Sequence, residues 1–260
     1  MGKFSRMSLD AVAFRPLRKG LEFLGELWIL LWDAIRRLPT PPFEWRETVG
    51  QMAFIGVASL PIVTLTSFFS GSVIALYLTE FLHRYGATGF IGGTVGLTVT
   101  REMGPVLAGI TVAARCGSSM ASQIGSMAVT EQIDALKMLS VHPTKFLVVP
   151  RLVASVTMLP ILGLASVYAA SIGGYIITQQ RGVAGAIFLD SYKQYTGLPD
   201  LWSGLVKTPV FGMIIALVAC QQGLRTKSGA VGVGRATTNA VVIGIVLVYL
   251  ADFVIASLQY

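Results

Sequence analysis

The sequence predicts an all-α polytopic membrane protein: an N-terminal interfacial amphipathic helix followed by five transmembrane helices, with a cytoplasmic helix between the second and third. Three observations carry that prediction. Of the 260 residues, 53% are apolar and 13% charged, with a mean hydropathy of +0.69, which is not the composition of a soluble globule. Several stretches lack Asp, Glu, Lys and Arg over the ~20 residues that a helix needs to cross the hydrocarbon core. The Lys and Arg residues collect in alternate connecting segments, as cytoplasmic loops do. The composition excludes a disordered chain, a disulfide-stapled secreted module with only Cys116 and Cys220 to pair, and an ordinary cytosolic enzyme. The formal charge of +7 is accordingly read as topology before it is read as affinity for nucleic acid.

Residues 1–47 form the first region. Leu17, Leu21, Leu24, Trp28, Leu31, Ile35 and Leu38 recur at spacings of four and three, one face of a helix, with Arg18, Lys19, Glu22, Asp33, Arg36 and Arg37 on the others. Glu22, Glu26 and Asp33 interrupt the apolar run, so it is neither a span nor a cleavable signal. Basic flanks with Trp28 and Trp32 suit a helix lying in the cytoplasmic headgroup layer, the alternative being a helix packed on a soluble partner. Pro39, Thr40, Pro41 and Pro42 end it.

Residues 48–260 form the transmembrane region, with spans at about 48–80, 89–115, 148–180, 201–224 and 236–258. The first, third and fifth contain the uncharged stretches Thr48 to Thr79, Leu152 to Gln180 and Ala236 to Ala251, the last continuing past Asp252; the fourth places Lys207 in or near the membrane. Residues 1–47, 115–151 and 225–235 hold fifteen of the twenty Lys and Arg residues, which puts the N-terminus in the cytoplasm and the C-terminus outside. The loop 181–200 is left without assigned structure.

The second span carries Arg101 and Glu102 in Thr98-Val99-Thr100-Arg101-Glu102-Met103-Gly104-Pro105. A charge in the bilayer costs at least about 2.5 kcal/mol, so each needs a partner or water. Neighbouring helical residues point ~100° apart, so the two are expected to find partners on other helices. Such a pair either fixes the bundle or serves transport. Pro105 is expected to kink the span. Gly89, Gly92, Gly93 and Gly96 give small-xxx-small spacings for close helix packing, within one chain or between two.

No phosphate-cradling G-x-x-x-x-G-K-[ST] occurs, so ATP, where used, must bind another chain. His83 and His142 are isolated, no metal cluster is expected, and no serine or cysteine has a visible base. After the second span, Val129 to Met138 reads as a short amphipathic helix, with Ile133 and Leu136 on one side and Glu131, Asp134 and Lys137 on another. It is either a solvated connector or a surface for a soluble partner.

These segments carry a resemblance. Arg101-Glu102-Met103-Gly104-Pro105-Val106-Leu107-Ala108, Ala113-Ala114-Arg115-Cys116-Gly117, Gly125-Ser126-Met127, Thr130-Glu131-Gln132-Ile133-Asp134-Ala135-Leu136, Pro150-Arg151 and Gly234-Arg235-Ala236-Thr237-Thr238, in that order, closely resemble the MlaE/YrbE permease family. That family includes the plastid permease of the trigalactosyldiacylglycerol system. Cys116, where the family tends to have a small or apolar residue, is a mild departure. The resemblance implies a homodimeric permease of a phospholipid ABC transporter. Its partners would be two copies of a cytoplasmic ATPase, which bind the ATP and Mg, and an MCE-domain lipid-binding protein; this chain would bind no cofactor and catalyse nothing. It also implies a coupling helix at about 119–142, with Thr130, Glu131, Gln132, Ile133, Asp134, Ala135, Leu136 and Lys137 seating in the ATPase. The family's lipid site is an apolar cavity between protomers, for which Ser67, Phe68, Ser70, Ile74, Leu78, Leu97, Tyr249 and Phe253 are the candidates by position. The membrane implied is the bacterial inner membrane rather than the plastid envelope, since no Ser-rich transit peptide is visible. Two other readings stay open: an ion-coupled carrier with Glu102 or Asp252 as relay, and a membrane enzyme acting on lipids.

Overall fold

The computed structural model describes residues 15–39 and 44–259, apart from the side chains of Arg15, Pro16, Leu17 and Lys19; Leu17 in the expected apolar face and Thr40, Pro41 and Pro42 in the expected break therefore lie outside what is described. The described chain is helical throughout, an all-α polytopic membrane protein, and four helices are long and apolar enough to cross a membrane: Trp45–Arg84, Thr144–Gln180, Leu198–Leu224 and Gly229–Gln259.

Helix α1 (Arg15–Arg37) is braced by i,i+4 pairs Arg18–Glu22 at 2.7 Å and Asp33–Arg37 at 2.8 Å, each worth a few tenths of a kcal/mol. Of the expected stripe, Leu21, Leu24, Trp28, Ile35 and Leu38 stay outside the fold, but Leu31 turns inward and packs against the bundle with Leu27, Leu30 and Ala34. The helix therefore has two apolar edges rather than one. Glu26 secures the inner edge, accepting hydrogen bonds from Gln221 at 2.8 Å and Arg225 at 2.7 Å. Burial pushes the Asp33 carboxyl up, but hydrogen bonds from Thr144 and Arg37 and the charges of Arg37 and His142 outweigh it and hold the group below its ordinary 3.8. A lowered carboxyl stabilises the docked helix above the unfolded pKa and loses that contribution as pH falls through the folded one. Asp33→Asn is therefore expected to lessen the loosening of α1 as pH falls below about 4, read by tryptophan fluorescence.

The first span is α2 (Trp45–Met52), a wide π turn at Ala53–Val57, and α3 (Leu60–Arg84). Pro61 lacks an N–H, and the ladder re-registers just before it. The next run is continuous from Ile91 to Val129: α4 (Ile91–Thr98), a π turn at Val99–Met103, α5 (Gly104–Val112), a second π turn at Ala113–Gly117, and α6 (Ser118–Val129). Pro105 thus produces a wide turn ahead of itself instead of a simple kink. This run, which carries the stretch 89–115, is not among the four apolar helices. Its packing nonetheless takes it through the same layer as α10 (Leu198–Leu224): Gly204 abuts Thr100 at one end and Gly223 abuts Ile124 at the other.

The short α7 (Gln132–Met138) follows, and a π turn at Thr144–Val148 leads into α8 (Val149–Gln180). Helices α3 and α8 run parallel in constant register, Ser67 against Ser166 at 2.7 Å and Thr79 against Thr178 at 3.5 Å. Between these pairs Gly71 meets the backbone of Ala170, an approach that any Cβ would block. Helix α11 (Gly229–Gln259) runs antiparallel to α10, Asp252 beside Lys207 and Gln259 beside Ser203. The interior is three apolar clusters stacked along the bundle, centred on Val95 and Phe188, on Phe211 and Leu159, and on Ile124 and Leu152.

The segment 181–200 is not featureless. Helix α9 (Gly185–Tyr195) lies on α4, with Phe188 buried and Ser191 Oγ accepting the Gly93 N–H at 3.0 Å. Gly92, Gly93 and Gly96 face α9, so the small-residue spacing serves packing within the chain, and a Cβ on Gly92 would strike the Phe188 carbonyl.

Candidate functional site

The two charges of the second span sit in the π turn Val99–Met103, whose widened backbone aims them at different neighbours. Arg101 pairs with Asp200 at the start of α10, its Nε 2.7 Å from Oδ1, and Asp200 in turn accepts the Gly197 N–H at 2.7 Å. Glu102 turns to Lys207, Oε2 to Nζ 2.5 Å, and Lys207 also lies 3.0 Å from Asp252 Oδ1 on α11. The expectation of partners on other helices is met for both. The Lys207 side chain is 0% exposed, against 35% for Glu102 and 16% for Asp252. Three helices thus share one buried cation between two carboxylates, and because its energy falls steeply with distance the cluster resists relative movement of α4–α5, α10 and α11. Lys207 and Asp252 were visible as charges in apolar spans; that they meet each other and Glu102, and that Asp200 answers Arg101, was not. The only sequence signal was the cost of leaving such charges alone.

A second staple lies at the other end of the bundle. Arg115 Nη1 donates to the Phe54 carbonyl at 3.1 Å and to Ser59 Oγ at 2.9 Å, so the π turn Ala113–Gly117 is tied to the π turn Ala53–Val57 and its following break.

The helix expected as one piece through Val129–Met138 is broken. Thr130 ends α6, and Glu131 takes the left-handed conformation at φ 60° before α7 begins at Gln132. A non-glycine residue pays about 1–2 kcal/mol there, and the reversal turns α7 back toward the bundle. Ile133 is 7% exposed and Leu136 packs beside it, whereas Glu131, Gln132, Asp134, Ala135 and Lys137 face outward. Thr130 is exposed at the end of α6. Asp134 and Lys137 pair at 2.7 Å. Beyond them Met138 is 88% and Leu139 73% exposed, two large apolar side chains on the tip of a polar projection.

The eight lipid-cavity candidates separate. Ser67 faces inward: it is 0% exposed and bonded to Ser166, which itself donates to the Gly104 carbonyl at 2.8 Å. Its regular position in the α3–α8 seam removes it from any open face. Leu78 packs on the cluster around Val95, and Ser70, Ile74 and Leu97 are half-buried. Phe68 lines an open apolar groove of about 800 Å³ with Leu60, Leu65, Tyr168 and Ile172 between α3 and α8. Tyr249 and Phe253 lie exposed on α11. Helix α3 packs along α8 and α11 along α10 and α6, so one chain holds these candidates on separate faces. Among the described residues no group of three or more His, Cys, Asp and Glu residues has a geometry that holds a metal ion.

Residues 48–258 match the family model of the permease MlaE. A probable ABC transporter permease protein of Rickettsia typhi is 42% identical over 93% of this chain and 94% of its own length. One from Synechocystis is 41% identical over 83% and 82%. The chloroplastic protein TRIGALACTOSYLDIACYLGLYCEROL 1 of Arabidopsis thaliana is 35% identical over 88% of this chain and 66% of its own length.

Proposed function

Because the chain belongs to the MlaE permease family, we propose that it is the membrane-spanning permease of an ABC transporter that moves phospholipid between membranes. Two copies form the membrane unit, a separate cytoplasmic ATPase binds ATP and Mg, and an MCE-domain protein exchanges the lipid. The observation that carries this reading is the α7 projection: a short helix anchored by Ile133 and Leu136 that offers Glu131, Asp134, Met138 and Leu139 to a partner. The relatives' names as ABC transporter permeases supply the class of that partner, and the Arabidopsis relative's name points to a lipid. The clustering of Lys and Arg in alternate connecting segments supports a cytoplasmic α7, with the N-terminus inside and the C-terminus outside, and the membrane of this reading is the bacterial inner membrane.

The mechanism follows from mechanical continuity. Helix α7 is joined through Thr130 and Glu131 to the run α4–α6, which carries both the Arg115 staple and the Arg101–Glu102 turn. A push on α7 by a closing ATPase dimer is therefore transmitted along one helical run to the charge cluster, a shift between two packings of the same bundle. The apolar faces of α3 and α11, with Phe68, Tyr249 and Phe253, close on each other only across two protomers, which is where an acyl chain fits.

The test is purification of the tagged chain from its native membrane in mild detergent, followed by reconstitution with what co-purifies. An ATPase, an MCE protein and phospholipid in the eluate, with ATP-dependent transfer of labelled phospholipid, are the expected results. A chain that emerges alone and lipid-free, under conditions that preserve other membrane complexes, overturns the proposal. The ion-coupled carrier draws on one observation, the excess of one carboxylate over cations in the Glu102–Lys207–Asp252 cluster; transport without any ATPase would favour it.

A further inference from the structure

A cavity of about 470 Å³ opens where α1 crosses the ends of α8 and α10, lined among others by Leu30, Trp32, Arg36, Thr144, Leu224 and Arg225. Its charges are already sorted. Glu26 is satisfied by Gln221 and Arg225, and Asp33 by Arg37. Arg36 is the surplus: among the described residues no carboxylate lies within ion-pair distance of it, and its guanidinium rests 4.9 Å above the Trp32 ring. Beside the polar Thr144 and Gln221, the wall is apolar at Ile29, Leu30 and Leu224, and Ile29 adjoins Trp28 of the exposed stripe of α1.

We propose that this cavity holds the headgroup of an anionic phospholipid from the cytoplasmic leaflet, with Arg36 on the phosphate and the acyl chains running out along Ile29 and Trp28. The chemistry selects that class. A guanidinium presents a planar fork to phosphate oxygens, and stacking on an indole holds it there without neutralising it. With Arg37 neutralising Asp33 from outside the lining and Arg225 neutralising Glu26, Arg36 is left as one surplus cation for one net negative charge, so an anionic headgroup fits better than a zwitterionic one. A water-soluble phosphate has no use for the apolar wall, whereas a lipid buries its glycerol and first methylenes against it. Tryptophan at this level is the usual neighbour of headgroups. The site lies outside the groove of Phe68 and outside the faces of Tyr249 and Phe253, so it is an accessory site that fastens α1 to the leaflet and not the cargo cavity. The assignment of the leaflet rests on the topology of the proposed function; binding itself does not require transport.

The experiment uses the chain with the subunits that co-purify with it, delipidated in mild detergent. Native mass spectrometry follows titration with short-chain phosphatidylglycerol, short-chain phosphatidylcholine and inorganic phosphate. The wild type is expected to bind one more phosphatidylglycerol per chain than Arg36→Gln, with affinity at that site lower by about tenfold or more in the variant, as loss of a charge-assisted contact implies. Arg36→Lys, which keeps the charge but not the fork, is expected to fall between them. Equal binding by wild type and Arg36→Gln overturns the site. Displacement of the lipid by equimolar inorganic phosphate reduces it to a simple anion site and overturns the lipid assignment, and equal affinity for phosphatidylcholine overturns the anionic one. Failure of the transporter reading would appear instead as absent ATP-dependent transfer, with the Arg36-dependent lipid still bound.

Discussion

Lys207→Met is expected to destabilise the bundle by about 3 kcal/mol or more, the range for removing one partner of a buried ion pair. The side chain it removes is 0% exposed and is the cation for both Glu102 and Asp252. Methionine fills the volume, so the loss isolates charge from packing. Two carboxylates then face each other across α10 with no counter-ion, and the membrane around them supplies little water. Thermal melting in detergent should show a lower midpoint. The triple variant Lys207→Met with Glu102→Gln and Asp252→Asn should recover most of it, because an apolar or neutral cluster is often no less stable than an ionic one. A single variant that melts with the wild type would mean that the cluster does not hold the helices. Glu102→Gln alone separates function from fold: Lys207 keeps Asp252, so stability should change little, while transport should fall. Normal transport in that variant would leave Glu102 a packing residue only.

What the sequence revealed and what it hid follow from the range of the interactions. Periodicity and charge-free length are local, and they placed the apolar helices and the amphipathic α1. The cost of a charge in hydrocarbon is also local, so the need of Arg101 and Glu102 for partners was legible while the partners, 99 and 105 positions away, were not. Helix α9 was missed because Gly182, Gly185, Gly197 and Pro199 dominate its flanks; its reason for existing is the flat glycine face of α4, a tertiary contact. The second edge of α1 was hidden for a similar cause: Leu27, Leu30 and Ala34 interleave with the outer stripe, and only the bundle decides which edge goes inward. The break at Glu131 leaves no mark on hydrophobic spacing, since Ile133 and Leu136 keep their helical interval on either reading.

The double variant Glu131→Lys with Asp134→Lys is expected to abolish stimulation of the ATPase and lipid transfer while leaving the permease inserted and folded. The structure explains why the fold should tolerate it. Both side chains face outward, and the Asp134–Lys137 pair, 69% and 58% exposed, is of the kind worth about 0–1 kcal/mol. Lysine at position 131 meets the same left-handed backbone as glutamate, so the cost of that conformation is unchanged. The burial of Ile133 and Leu136, which holds α7 on the bundle, is untouched. What changes is the charge of the projection, by four units, beside Met138 and Leu139, at the proposed point of contact with the ATPase. Truncating those two apolar residues to serine provides the complementary loss, since it removes contact area without altering charge. Co-purification of the ATPase measures docking, and its hydrolysis rate in nanodiscs measures coupling. Undiminished stimulation in the charge-reversed chain would sink the assignment of α7 as the coupling element. Loss of hydrolysis with docking intact would locate the coupling in Glu131 and Asp134, and the docking in Met138 and Leu139.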